Sequence, residues 1–315
     1  LFWLCASILF VMNEHQLALE ANSIRESIIE MLLAAGSGHT AGPLGMADIF
    51  TALYLAQRQD GATDSEGKLL RGILRHDVSN PFWSERDRLV LSNGHICPIY
   101  YATLAHAGYM PKAELLTLRK FGSRLQGHPH REYLDILETS SGPLGSGLSQ
   151  AAGMAKAIAM DGERNNAGQP TDQYVFCMMS DGELNEGNSW EAIMFAGKNK
   201  LRNLIAIVDR NNIQIDGNTE DIMPLEPLAD KWRAFNWHVE EINGHNFEEI
   251  IDAVARAKAV FEKPTVIIAH TIPGKGVKEF ERDYHWHGKP PSADEAKMAL
   301  NELRTLGGRI KSEHN

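Results

Sequence analysis

The residue types best suited to chemistry lie in two short polar segments, Ser180-Asp181-Gly182-Glu183-Leu184-Asn185-Glu186-Gly187 and Asp209-Arg210-Asn211-Asn212-Ile213. Between them they offer a carboxylate, an amide oxygen and main-chain carbonyls, the hard oxygen donors that Mg²⁺ or Ca²⁺ prefers. Mg²⁺ usually completes its octahedron with water and substrate phosphate. Gly182 has no side chain and would let backbone approach a phosphate closely. Taken singly, Asp181-Gly182 and Asn211-Asn212 also read as ordinary turns; in this order, and about thirty residues apart, they are far more specific.

Composition narrows how a phosphate would be met. The formal net charge is -10 and no Lys/Arg-rich block occurs, which argues against a nucleic-acid surface. Metal, backbone amides and histidine remain. The three cysteines, Cys5, Cys97 and Cys177, show no CxxC spacing, so they give neither a zinc site nor a disulfide framework and fit a reducing, cytoplasmic setting.

Histidines beside glycines form a second set of candidates: His39 after Gly38, His95 after Gly94, His128 after Gly127 and His287 before Gly288. Alone, each is more simply a surface residue or a satisfied core group. Glycine neighbours would let backbone approach a ligand, and imidazole can donate to oxygen and move protons near neutral pH. Ser141 to Gly147 precedes an alanine-rich helical stretch, Leu148 to Ala159. Its amides and the positive end of the helix dipole could face a cofactor, or it could be a turn without a ligand.

These candidates need a scaffold. With 315 residues, 43% hydrophobic and 23% charged, the chain has ample material for a buried core. Strand-like density marks Tyr174 to Met179, Leu204 to Asp209, Trp237 to Ile242 and Thr265 to His270. Helical patterns fall between them at Ser189 to Asn199 and at Phe247 to Val260, the latter with Asn246 as a cap. That alternation predicts an α/β fold, a mostly parallel sheet with helices on both faces. Ligands collect beyond the carboxyl ends of such strands, where Asp181 and Asn211 both fall.

Polar stretches Gln59 to Lys68 and Gly162 to Asp172 read as surface loops within one domain spanning residues 12–315. Leu1 to Val11 is apolar, has no basic n-region and is too short to span a bilayer. The expectation is that translation starts at Met12 and that residues 1–11 are a non-native or disordered extension.

The paired segments resemble the thiamine-diphosphate signature, which begins near Gly-Asp-Gly and ends near Asn-Asn. The family resembled is the transketolase-like thiamine-diphosphate enzymes, and the likeness runs in order along nearly the whole chain. Gly38-His39 with Gly42-Pro43-Leu44-Gly45 is similar to the family's first histidine loop, and Leu91-Ser92-Asn93-Gly94-His95 to its second. Gly127-His128-Pro129 resembles the third, and Gly142-Pro143-Leu144-Gly145 the cofactor-binding glycine loop. Gly274-Lys275-Gly276-Val277 and Trp286-His287-Gly288 complete the pattern.

The resemblance implies that Asp181, Asn211 and the carbonyl of Ile213 hold Mg²⁺, with Ca²⁺ or Mn²⁺ as possible substitutes. It implies that His95, Gly142, Pro143, Leu144, Gly182, Asn211 and His287 contact thiamine diphosphate. His39, His128 and His287 would face the sugar's reacting hydroxyls, and Glu186 would sit at a subunit interface linking paired sites, unless it is only a helix-entry glutamate. Three departures stand out: Thr40 where proline often follows the histidine, Ser180 in place of the first glycine, and Pro273 where some relatives carry a diphosphate-contacting lysine. Lys275 is a candidate to compensate for the last.

In the family, the glutamate that activates the cofactor belongs to a pyrimidine-binding domain that this sequence does not contain. The resemblance therefore implies the diphosphate-binding subunit of a split transketolase, dimerising within a heterotetramer with a second chain and acting on sugar phosphates. The expected reaction is transfer of a two-carbon ketol unit from a ketose phosphate to an aldose. The alternatives are a subunit of a decarboxylating relative, such as deoxyxylulose-phosphate synthase or an oxo-acid dehydrogenase E1, and a non-catalytic binding subunit.

Overall fold

The computed structural model describes residues 14–56, 71–165 and 172–312. The run Leu1 to Val11, the start proposed at Met12, the stretch Gln59 to Lys68 and residues 166–171 lie outside the described residues.

From the amino end come α1 (Glu14–Ala35), α2 (Ala41–Gly45) and α3 (Ala47–Leu55), then β1 (Arg88–Leu91) and α4 (Cys97–Ala107). A long irregular stretch leads to α5 (Ser146–Asn165) and β2 (Val175–Ser180). Next, α6 (Gly187–Lys198) connects to β3 (Leu204–Arg210), and a small ribbon follows, β4 (Ile213–Gln214) against β5 (Gly217–Asn218). The short α7 (Thr219–Ile222) and α8 (Leu228–Ala234) lead to β6 (His238–Asn243), α9 (Phe247–Ala259), β7 (Thr265–His270) and α10 (Ala293–Ser312).

The main sheet is wholly parallel, in the order β1-β2-β3-β7-β6. The expected strands are all present, with ends that differ from expectation by single residues. β2 and β3 are buried along their whole length. That is why they read as continuous apolar runs rather than alternating ones.

Alternation reappears in where the side chains go. Phe176, Met178, Ile205, Ile207 and Ile267 join one core with α1, α3, α4 and α9. Val175, Cys177, Met179, Leu204, Ala206, Val208, Val266 and Ile268 join another with α5, α6 and α8. The period of two thus sorts one sheet's residues onto two helical layers.

β1 escaped prediction because it is only four residues long and its carboxyl end runs straight into the polar Ser92-Asn93. Two further boundaries are corrected. Gly162 to Asn165 continue α5 instead of opening a loop, and α6 begins at Gly187, two residues before the expected Ser189. The Asn246 cap is present: its Oδ1 accepts from the Glu249 amide at 3.2 Å. Glu248 and Glu249 in the first turn of α9, with Arg256 and Lys258 in the last, complement the helix dipole.

Strands advance from β1 to β3 in one direction, then skip to β6 and return to β7. The crossover α6 lies on one face and α9 on the other. The winding reverses between β3 and β7, so the loops beyond their carboxyl ends open around a crevice. Asp181, Asn211 and Thr271 all follow strand ends there.

Candidate functional site

Asp181 is fully buried at the end of β2. Its Oδ1 accepts from the Gly182 amide at 2.7 Å, and its Oδ2 accepts from the Asn212 amide at 2.8 Å and Arg210 Nη1 at 3.1 Å. Asn212 reaches this position with φ +64°, a left-handed conformation that asparagine tolerates. Asn211 donates Nδ2 to Asp209 Oδ2 at 2.7 Å, and its Oδ1 accepts from the Ile213 amide at 3.0 Å. Thr271, from beyond β7, donates to Asp209 Oδ1 at 2.5 Å. Three adjacent strand ends are thereby tied together.

Burial pushes the Asp181 carboxyl up to about 6, against the pull of Arg210 and the neighbouring amides. Burial likewise pushes Asp209 up to about 7; hydrogen bonds from Thr271 and Asn211 oppose the rise and the Asp181 charge adds to it. Arg210 is shared with Glu220 at 2.6 Å and Glu226 at 2.9 Å, so it does not neutralise the buried pair alone. Buried carboxylates that hold protons above their usual range are what a divalent cation relieves. With the Asn211 amide oxygen and the Ile213 carbonyl nearby, the donor set fits Mg²⁺.

A cavity of about 350 Å³ opens beside these strand ends. His39, His95, His128, Gly142, Leu144, Gly182, Ile213 and His287 all line it, as do Glu183, Gln214, Ile215 and Asp216. A Cβ added at Gly182 would meet nothing nearer than 3.8 Å. Packing therefore does not demand glycine there, and the open backbone faces the cavity.

Gly145 and Gly147 are glycine for a different reason. A Cβ at Gly145 would lie 2.1 Å from Asn188 Oδ1, and one at Gly147 2.4 Å from the Ser92 side chain. The glycine loop is pressed against its neighbours just where α5 begins. Pro143 does not line the cavity; its carbonyl accepts from Ser146 Oγ at 2.6 Å and shapes the entry to the helix.

The imidazoles form a compact group. Ring centroids are 4.9 Å apart for His39 and His95, 5.2 Å for His95 and His287, and 5.6 Å for His39 and His287. Burial lowers all four basicities: His39 to about 4, His95 well below its usual value, His128 and His287 in the same direction. His287, Arg119 and His128 add to the effect on His39. The group is neutral at pH 7, able to donate from one ring nitrogen and accept at the other. His39 and His287 each bury an Nδ1 without a hydrogen-bond partner among the described residues, and so does Asn93 with both amide atoms.

Asp181 and Asn211 stand one residue back from the cavity wall or further, behind Gly182 and Ile213. Glu186 is exposed at the N-cap of α6, its side chain capping nothing and lining no part of the cavity. Thr40, expected only as a departure from proline, donates to the Lys289 carbonyl at 2.5 Å and joins the first histidine loop to the last. Lys275, the candidate to compensate for Pro273, lines a separate groove with Lys278 and Arg309 and not the histidine cavity. Among the described residues no lysine or arginine is part of the cavity lining, although the Arg119 charge reaches His39 and His128.

Glu183, Asp209 and Arg210 lie inside the two signature segments, yet spacing and resemblance gave them no role. Arg119 and Thr271 carried no motif signal at all, because their positions depend on chain folding back from distant elements.

Comparison with known proteins fits this geometry. Residues 17–306 match the family model described as transketolase, thiamine diphosphate binding domain. The chain is 41% identical over 298 residues to the 6-deoxy-6-sulfo-D-fructose transketolase subunit SqwG of Clostridium sp. (strain MSTE9), covering 94% of this chain and 100% of that protein. It is 36% identical to one subunit of the apulose-4-phosphate transketolase of Phocaeicola vulgatus, covering 96% and 99%. The solved transketolase of Leishmania mexicana superposes with a TM-score of 0.80 at 30% identity, over 94% of this chain and 45% of that one. The chain thus spans about half the length of that solved transketolase.

Proposed function

Because the chain belongs to the transketolase family through its thiamine diphosphate binding domain, we propose that it is the diphosphate-binding subunit of a two-chain transketolase. In this reading it moves a two-carbon ketol unit from a ketose phosphate to an aldose, and a separate subunit supplies the pyrimidine-binding domain with the activating glutamate. The observation that carries the proposal is the convergence of a buried acidic strand-end cradle and four neutral imidazoles on one cavity. The end-to-end match to relatives named as subunits supports the two-chain form.

Asp181, Asn211 and the Ile213 carbonyl would hold Mg²⁺, and through it the diphosphate. Gly182, Gly142, Leu144, His95 and His287 would complete the cofactor's surroundings, with Pro143 shaping the glycine loop behind them. Bound thiamine diphosphate supplies the electron sink for breaking and remaking a bond beside a carbonyl. Neutral His39, His128 and His287 would orient the ketose hydroxyls, accept a proton from one as the bond breaks and return it to the acceptor's oxygen.

Among the described residues no lysine or arginine lines the cavity, which supports the reading that the partner subunit contributes to holding the sugar's terminal anion. The two relatives are named for sugars with different anionic groups, a sulfo-sugar and a sugar phosphate. Exposed Glu186 would lie at the contact between two copies of this chain in a heterotetramer, and the assembly would be cytoplasmic. No described helix is long and apolar enough to cross a membrane.

The test is reconstitution with the pyrimidine-domain subunit, followed by turnover of a ketose phosphate and an aldose with thiamine diphosphate and Mg²⁺. Ketol transfer abolished by chelator and restored by Mg²⁺ is the expected result. Full turnover by this chain alone, or release of CO₂ from pyruvate without ketol transfer, would overturn the reading.

A further inference from the structure

Glu183 is a fully buried carboxylate that the mechanism above leaves unused. Its Oε1 accepts from Ser92 Oγ and from the Gly145 amide at 3.0 Å, and its Oε2 accepts from the Ser180 amide at 3.0 Å. Ser92 Oγ in turn accepts from the Gly147 amide at 3.1 Å. One side chain thus joins three segments distant in sequence: the turn carrying His95, the glycine loop with Gly142 and Leu144, and the strand end carrying Asp181 and Gly182.

From this geometry, and resting on the reading of the site as a thiamine diphosphate cradle, we infer that Glu183 is a positioning residue holding the three cofactor-facing segments in one fixed arrangement. Both carboxylate oxygens already accept from protein donors, so the group braces the cradle and does not exchange protons with substrate.

The junction has no slack. Gly145 and Gly147 lie too close to Asn188 and Ser92 to admit a Cβ, so a displacement of the brace moves the loops together. A carboxylate is specifically required, because glutamine offers one acceptor oxygen and would turn its NH₂ toward a backbone N–H. The result is an unpaired buried donor in either the glycine loop or the metal-bearing strand end.

The test uses the full chain reconstituted with its partner. Thiamine diphosphate is titrated in excess Mg²⁺, following intrinsic tryptophan fluorescence well below the unfolding temperature. Glu183→Gln is expected to raise the cofactor Kd by ~10-fold or more, the range seen when supporting groups behind a metal site are lost. Ser92→Ala should raise it about 3-fold, and the double variant should bind no more weakly than Glu183→Gln alone, since both act through one brace. A purely structural role predicts a lower unfolding temperature with an unchanged Kd in the folded complex, and that outcome overturns the inference. If Glu183→Gln does not fold, an unchanged Kd for Ser92→Ala overturns it equally. A wild-type complex that takes up no thiamine diphosphate sinks the functional reading as well, which separates the two failures.

Discussion

On the acidic side of the cavity, Asp181, Asp209 and Glu183 have every carboxylate oxygen engaged by a protein donor. On the histidine side, His39, His287 and Asn93 bury polar atoms that bond to nothing among the described residues. Each such atom costs about 1–3 kcal/mol of desolvation, a cost that persists where a ligand later satisfies it. The acidic wall is finished by folding. The histidine wall is finished by whatever binds.

The contrast is broken most severely through Asp181. Asp181→Asn removes the proposed anionic metal ligand, and turnover of the reconstituted enzyme is expected to fall by at least ~10³-fold, the scale of several kcal/mol of lost metal assistance. Saturating Mg²⁺ should not rescue it; rescue would show that the cation is held elsewhere. His39→Gln should instead cut kcat by ~10²-fold while leaving the cofactor Kd within about 2-fold, as expected for a proton-handling group. Equal losses in both measurements would erase the distinction between the walls.

Acidity sharpens the contrast because the two sides respond with opposite sign. His39 is held at about 4 against 6.5 for an ordinary histidine, so the unfolded chain takes up the proton first as pH falls. Stability from the neutral ring is whole above about 6.5 and drains away toward about 4, by roughly 3 kcal/mol. Urea midpoints measured across this window should fall for the wild type and fall less for His39→Gln. Asp181 is raised from 3.8 to about 6 in the metal-free fold, so its contribution is present at low pH and is lost as pH rises through about 6. Mg²⁺ should therefore raise the urea midpoint more at neutral pH than at acid pH.

The smallest effect serves as a control. Asn246→Ala removes the cap of α9, a side chain that bonds Glu249 and no residue of either wall, and should cost about 1 kcal/mol of stability. Cofactor affinity and kcat should not change. A change in either would mean that α9 communicates with the cavity.

What the sequence disclosed follows from how local each feature is. Strand ends at Asp181 and Asn211, the Asn246 cap and the glycine loop before α5 are set by neighbours within a few residues. They were legible. Four-residue β1 carries too short a pattern to separate from the turn after it. Glu183 sits inside the first signature segment, but its three partners come from positions 92, 145 and 180, which spacing alone does not connect. Lys275, a candidate only by its nearness to Pro273, lies between the left-handed turns at Gly274 and Gly276 and lines another groove. Thr40, a departure from the proline that often follows the histidine, ties two histidine loops together.

The cavity's imidazoles come from before α2, after β1, ahead of α5 and after β7. Long loops must close before these rings can meet, and such distant pairings form slowly along a folding pathway. A refolding chain therefore has no assembled pocket to offer until the sheet is complete. Ligand added during refolding should leave the folding rate nearly unchanged and instead slow unfolding, since contacts absent from the transition state act on that limb. What the cofactor extends is the lifetime of the finished molecule.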